Sequence, residues 1–252
     1  MIDQTFDVGA APRFVSAIAS GSIEVVEGPE HVLAVHIESS TEFEFNQSGD
    51  TVTVLPPHGR QGRTSSTRLR VEAPPGTTVR LSAASAEISA SVRLANAYID
   101  TASGDVSLSE VEDAKVKSAS GDLSIRTVTG GVSLRTASGD VKVGLVVDRM
   151  DVTTASGSVD VGLARGDLAS SASSGDLAID RYEGSDLDLK SVSGDIRVGL
   201  PRGTRLTLDA RSLSGKILLP ERVPAGSTGK GAQSVRAKLR TISGDIEITR
   251  LG

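Results

Sequence analysis

The chain has no cysteine and no tryptophan, and aromatic residues make up only 2% of it. Without cysteine there are no disulfides, no thiol nucleophile and no Cys-ligated metal. A compact globular core leans on Phe, Tyr and Trp for buried area. A core of Val, Ile, Leu, Ala, Ser and Thr suits thin, regular, stacked layers instead. An excess of basic residues is also missing: 27 Lys and Arg stand against 32 Asp and Glu, a net charge of −5. That balance argues against a nucleic-acid partner. No apolar run approaches the roughly 20 residues of a membrane helix. The start, Met1-Ile2-Asp3-Gln4-Thr5-Phe6, has neither the basic nor the apolar region of a secretory signal. The expected location is therefore cytoplasmic by default, with any association with the cell envelope made through a partner.

What the chain does have is a repeat. Ser-Gly-Asp-aliphatic corners place glycines at Gly104, Gly121, Gly139, Gly157, Gly175, Gly194, Gly215 and Gly244. Their spacings are 17, 18, 18, 18, 19, 21 and 29 residues. Degenerate copies stand at Ser85-Ala86-Glu87-Ile88 and Ser20-Gly21-Ser22-Ile23. Aliphatics follow each glycine at the second and fourth positions, as in Val141/Val143, Val159/Val161 and Leu177/Ile179. A second alternating pair precedes it, as in Leu134/Thr136 and Val152/Thr154, shifted by a residue to Leu208/Ser212 in one copy. Alternation of period two means a strand with one buried face. Each period thus holds two short strands, and stacking the periods buries both apolar rows. The fold class expected is all-β: a single-stranded β-solenoid, or two-faced β-helix, of about 18 residues per coil. Glycine supplies the backbone angles of the corner, and small residues such as Ala102, Ala119, Ala137 and Ala155 fit a tight one. The opposite corners, such as Thr129-Gly130-Gly131 and Arg165-Gly166-Asp167, vary in length.

The first quarter differs. It holds all four phenylalanines, Phe6, Phe14, Phe43 and Phe45, with strand-like runs and a hairpin turn at Asn46–Asp50. Solenoid ends need caps. Residues 1–75 are read as a β cap continuous with the tube, and 76–252 as solenoid repeats. Two segments break the rhythm and are candidates for mobility: Pro56 to Thr67, and Pro220 to Gln233.

The repeated Ser-Gly-Asp-[Val/Ile/Leu] corners, with Pro-Pro-Gly-Thr-Thr-Val-Arg-Leu at 74–81 and Pro-Arg-Gly-Thr-Arg-Leu at 201–206, resemble the bacterial putative-adhesin family known as domain of unknown function 4097. The resemblance covers nearly all of the chain beyond the first dozen residues. It implies a bacterial β-solenoid, often near the envelope, and brings no catalytic residues with it.

The corner column carries the obvious chemistry. Asp105, Asp122, Asp140, Asp176, Asp195 and Asp245 share one repeat position, interrupted by Ser158 and Lys216. Like charges about 5 Å apart repel by roughly 1 kcal/mol in water, which a cation could relieve. A calcium site needs six to eight oxygens, however, and one Asp per coil does not supply them. The reading preferred is that each Asp caps its own turn and points to solvent. The site residues expected are thus structural turn residues: Gly104, Asp105, Gly121, Asp122, Gly139, Asp140, Gly157, Gly175, Asp176, Gly194, Asp195, Gly215, Gly244 and Asp245. His31, His36 and His58 have no metal-ligand spacing, with His36 on the solvent side of a strand. Ser227-Thr228-Gly229-Lys230-Gly231 fails as a phosphate loop, because Pro224 and Gly231 stand where Gly and Ser/Thr are needed. No Gly-x-Ser-x-Gly elbow is present.

No catalytic, metal or cofactor residues are expected. The function expected is a non-enzymatic structural or interaction module, adhesin-like, contacting a protein or cell-envelope component. A glycan-binding or polysaccharide-processing β-helix is one alternative, though Tyr98 and Tyr182 are the only aromatics in the repeats. A self-assembling scaffold is the other.

Overall fold

The structure is a computed structural model and describes residues 1–57, 66–220 and 233–251. The loops expected at 56–67 and 220–233, and His58 with them, fall largely outside the described residues. Those residues form 21 β-strands and no helix, so the protein is an all-β solenoid. The chain divides into two compact units, Met1–Thr127 and Val128–Gly252.

The first unit contains β1 (Ile2–Asp7), β2 (Arg13–Glu27), β3 (Val32–Glu38), β4 (Glu44–Ser48), β5 (Thr51–Leu55), β6 (Thr67–Ala73), β7 (Thr77–Ser103), β8 (Val106–Ser120) and the start of β9 (Leu123–Val128). β2 runs parallel to β7, with Phe14 beside Val79 and Ile23 beside Ile88. β7 in turn runs parallel to β8. The two degenerate corners meet in this register, Gly21 against Ala86. Gly21 has φ 120°, and a Cβ there would lie 1.9 Å from the Thr67 carbonyl oxygen.

The remaining strands of the unit change direction. β5 and β6 run parallel to β2, but β4 is antiparallel to β5 and β3 to β6. β1 then closes antiparallel on β3. Leu33, Val35 and Ile37 are fully buried beneath them, and the Phe6 and Phe45 rings stack at 6.2 Å. The hairpin read from Asn46–Asp50 joins β4 to β5, with Gly49 at φ 57°.

The second unit is a stack of coils, each of two strands. Its strands are β10 (Gly131–Ser138), β11 (Val141–Val146), β12 (Arg149–Ser156), β13 (Val159–Ala164), β14 (Asp167–Ser174), β15 (Leu177–Tyr182), β16 (Asp186–Ser193), β17 (Ile196–Pro201), β18 (Arg205–Ser214), β19 (Ile217–Leu218), β20 (Ser234–Ser243) and β21 (Ile246–Leu251). Every pairing among them is parallel. Val141, Val159, Leu177 and Ile196 stand in one file, each at most 2% exposed. Burying such a side chain contributes about 1.5–3 kcal/mol, and it requires the neighbouring coils.

The last two coils do not stack in chain order. β16 and β17 pair with β20 and β21, which pair on their other side with β18 and β19. The C-terminal coil is therefore inserted between the two that precede it in sequence. The file continues from Ile196 to Ile246 and only then to Ile217. Cross-strand charge is one thing this order changes. It sets Arg236 against Asp186 at 2.9 Å and Arg197 near Glu247 at 3.9 Å. It also places Lys238 between Asp188 and Asp209, where chain order would set those two carboxylates side by side. The register of β18 needs no shift: Ala210 lies opposite Leu239, so Ala210 rather than Leu208 holds the core position before Ser212.

Both Pro-x-Gly-Thr segments are alike. Thr77 and Thr204 donate their hydroxyls to the carbonyls of Pro74 and Pro201, at 2.6 and 2.8 Å. Gly76 and Gly203 sit at φ 86° and 81°, as the third residue of a type II turn requires.

Candidate functional site

The corners of each unit are built from three kinds of residue in rows: glycines, hydroxyls and aspartates. Gly104, Gly121, Gly139, Gly157, Gly175, Gly194 and Gly244 all have positive φ, between 117° and 154°. Gly215, in the terminal coil, is not among them, but a Cβ there would meet the Gly244 oxygen at 2.0 Å. In the second row, several hydroxyls bond corner carbonyls, while those of Thr101 and Thr154 are buried with no hydrogen-bond partner among the described residues. Thr136 Oγ1 donates to the Ser138 carbonyl at 3.0 Å, and Ser212 Oγ donates to that of Gly244 at 2.9 Å. Thr241 and Ser191 reach the carbonyls of Gly194 and Gly175.

The aspartates form the third row. Asp105 Oδ1 accepts the backbone N–H of Asp122 at 2.9 Å, and Asp140 Oδ1 that of Ser158 at 2.9 Å. Asp176 accepts from Asp195 at 2.8 Å, Asp195 from Asp245 at 2.9 Å, and Asp245 from Lys216 at 2.7 Å. Each of these five carboxylates, Asp105, Asp140, Asp176, Asp195 and Asp245, thus caps the corner of the next coil, not its own as the sequence suggested. The reason is geometric: strands 4.8 Å apart bring the neighbouring corner's amide within reach of the carboxylate. Charge-assisted bonds of this kind are among the stronger ones, and they offset the repulsion along the row. Arg197 adds a positive charge, 2.8 Å from Asp195 and 3.7 Å from Asp176. Among the described residues no group of three or more His, Asp or Glu is placed to hold a metal ion.

The histidines lie apart from this column. His36 Nδ1 is 2.7 Å from Asp3 Oδ1 on the outward face of β3. His31 takes φ 61°, and its carbonyl accepts the Val8 N–H at 2.8 Å. Neither touches a serine of the corners in any hydrogen bond, so no serine–histidine pair forms among the described residues. Tyr182 is fully buried, its hydroxyl donating to the Asp186 carbonyl at 2.6 Å. Burial foremost, and then the charges of Asp167 and Asp186, hold its pKa well above the ordinary tyrosine value.

Three outward features were not read from the sequence. The first is an apolar row at the end of the second unit. Two residues before the corner glycine, the earlier coils carry Ala102, Ala119, Ala137, Ala155 and Ser173. In the last three layers that position holds Val192, Ile242 and Leu213, exposed at 49%, 51% and 84%. The position faces solvent, so tightness of the corner is not what keeps it small elsewhere. Leu218 and Leu219 are exposed nearby in the terminal coil. The signal was present in Lys190-Ser191-Val192, Arg211-Ser212-Leu213 and Arg240-Thr241-Ile242. The second feature is a cleft of about 330 Å³ along β12, β14, β16 and β20, where Arg149, Arg236 and Lys238 face Asp167, Asp186 and Asp188. Its charges balance. The third is a cleft of about 260 Å³ in the first unit, lined by Arg13, Thr51, Thr78, Arg80, Asn96 and Tyr98.

Parallel two-strand coils with one polar corner per coil define a β-solenoid repeat protein. The model of the Toastrack DUF4097 family matches residues 19–249, and the chain belongs to that family. Among solved structures, a putative adhesin from Bacteroides fragilis is 11% identical over 99% of this chain and 96% of its own, with a TM-score of 0.47. A putative lipid binding protein from Parabacteroides distasonis is 14% identical over 100% and 96%, with a TM-score of 0.45. A putative cell adhesion protein from Clostridium sporogenes is 10% identical over 99% and 99%, with a TM-score of 0.31. No curated protein matches the chain.

Proposed function

We propose that this protein is a non-enzymatic interaction module, adhesin-like in that a rigid β-solenoid presents a contact surface to a protein partner of the envelope. One observation carries the reading: the exposed aliphatic row Val192, Ile242 and Leu213, in a terminal coil that also exposes Leu218 and Leu219. Clustered exposed apolar side chains mark interaction sites. The corner carboxylates, by contrast, are engaged in coil-to-coil hydrogen bonds. The test is capture of partners from an envelope extract by the wild type and by Val192→Ser/Leu213→Ser/Ile242→Ser. Loss of specific partners from a variant that melts like the wild type is expected. Recovery of the same partners in the same amounts rules the surface out.

A second reading, self-assembly, has its own observation. Among the described residues β18 is paired on one side only, with β20. Its segment Asp209-Ala210-Arg211 is self-complementary about Ala210. An antiparallel second copy would set each Asp209 opposite the other chain's Arg211, the arrangement a two-fold interface needs. Sedimentation at rising concentration tests it. A dimer that Asp209→Lys dissociates and Asp209→Lys/Arg211→Asp restores is expected; a monomer at every concentration refutes it.

A further inference from the structure

The cleft in the first unit is independent of the surfaces just described. We infer that it is a binding site for an anionic sugar, a saccharide bearing a carboxylate, sulfate or phosphate group.

Its floor and walls follow from the register of four layers, those of Thr51, Arg13, Thr78 and Asn96. Arg13 lies between Thr51 and Thr78, and Val15 lies beside Arg80. Asn96 Nδ2 donates to Thr78 Oγ1 at 3.3 Å, which fixes Asn96 in the same row as Thr78. Tyr98, two residues on, projects from the same face of β7 and stands beside Lys115 of β8. Phe14, fully buried beneath, makes the floor rigid. The short side chains Thr51, Val15 and Thr78 form the depression, and the long ones, Arg13, Arg80 and Tyr98, wall it.

Two features mark this place among the described residues: a pair of arginines free of ion pairs on one cleft, and an exposed aromatic ring. Nine of the 17 arginines of the described residues sit in ion pairs, Arg68, Arg70, Arg93, Arg165, Arg181, Arg197, Arg211, Arg236 and Arg240, and Arg126, Arg135, Arg149, Arg202, Arg205 and Arg250 stand outside them without converging on this cleft. Among the described residues, Arg13 and Arg80 have no acidic side chain within ion-pairing distance, yet both face one cleft. Guanidinium forks recognise carboxylates, sulfates and phosphates. Tyr98, 44% exposed, is the one aromatic residue among the exposed large hydrophobic side chains, in a chain that is 2% aromatic. An exposed ring offers an apolar face to the C–H side of a sugar. Thr51, Thr78 and Asn96 supply hydroxyl and amide groups for ring hydroxyls. The charged, aromatic and hydroxyl-binding elements together select an anionic sugar over a bare anion, which needs no ring, and over a neutral sugar, which needs no guanidinium.

The test is a titration of the full chain, followed by amide NMR shifts, with trigalacturonate, its methyl ester, inorganic phosphate and a triglutamate peptide. An open cleft of this size supports weak binding, a Kd on the order of 1 mM. Trigalacturonate is expected to shift the amides around Arg13, Thr78 and Tyr98, with the methyl ester binding at least tenfold more weakly. Arg13→Gln/Arg80→Gln and, separately, Tyr98→Ser should each weaken trigalacturonate about tenfold while leaving urea unfolding unchanged. Equal binding of the methyl ester overturns the charge requirement. Equal binding of phosphate or triglutamate, or indifference of trigalacturonate to Tyr98→Ser, overturns the sugar, and no shift with any probe overturns the site.

Discussion

Replacing Gly157 with alanine should damage the solenoid far more than the same change at Gly76. Both glycines have positive φ, 130° and 86°, so both substitutions strain the backbone by about 1–3 kcal/mol. At Gly76 nothing lies within 4 Å of an added Cβ, and strain is the whole cost. At Gly157 the Cβ would stand 2.1 Å from the Gly139 oxygen and 2.7 Å from its carbon. Those atoms are backbone, so no side-chain rotation relieves the overlap. The corner must move by about an ångström to reach ordinary contact distance. That movement loosens the Gly157 N–H bond to Ser174 O, 3.0 Å, and the Ser158 N–H bond to Asp140 Oδ1, 2.9 Å. A neutral hydrogen bond contributes about 0.5–1.5 kcal/mol and one to a charged group about 1.5–3. Gly157→Ala should therefore cost about 3–6 kcal/mol against about 1–3 for Gly76→Ala. Equilibrium urea unfolding measures both, and an unchanged slope shows that stability alone moved. If Gly157→Ala costs no more than Gly76→Ala, the corners are not stacked backbone to backbone and the account of the column fails.

The inserted order of the last coils is open to cross-linking. Lys190 and Arg240 are register partners, so Lys190→Cys/Arg240→Cys should oxidise readily in a chain with no other cysteine, whereas Lys190→Cys/Arg211→Cys, two layers apart, should not. Core truncation checks the same point: Leu239 is fully buried in the inserted coil, and Leu239→Ala should cost about 3 kcal/mol, while half-buried Leu208 in the terminal coil should cost about 1 by urea unfolding. Tyr182 predicts an alkaline limit. Its pKa is raised on folding, so the stability it contributes is full below the unfolded value of about 10 and declines as pH rises past it. The urea midpoint should fall above that pH, and Tyr182→Phe should remove this part of the fall while costing about 1 kcal/mol at neutral pH.

Much of the architecture could be read from residues one period apart. Val141, Val159 and Leu177 repeat because they occupy one file, and Gly49-Asp50 ends a strand because the hairpin needs a residue at positive φ. Periodicity reports what a layer contains, though, and not which layers touch. Spacings of 21 and 29 betrayed that something intervened near residues 200 and 230, but a longer loop and a skipped layer give the same spacing. The distinguishing information lay in charges such as Asp186 with Arg236 and Arg197 with Glu247, 50 residues apart in sequence. Exposed pairs of that kind contribute about 0–1 kcal/mol each, too little for a sequence pattern to single them out.

The candidate binding surfaces were illegible for a related reason. A repeat detects what is the same in every coil, and sameness here belongs to the corner, whose glycines and carboxylates are consumed by the corner above or below. Binding surfaces lie where the repeat is broken on its outward face: alanine giving way to Val192, Ile242 and Leu213, or Arg13, Arg80 and Tyr98 converging from three layers. In the first case Ile242 and Leu213 stand 50 and 21 residues from Val192 in sequence and become contiguous only when the coils stack. Stacking in chain order would also bring those three together, in the order Val192, Leu213, Ile242, but it would leave Ile242 at the end. The inserted order instead makes Leu213 the outermost and most exposed, at 84% against 51% for Ile242. A single Leu213→Ser change should therefore weaken partner capture more than Ile242→Ser, and the reverse ranking would show that the contact lies on the flank of the row and not at its end.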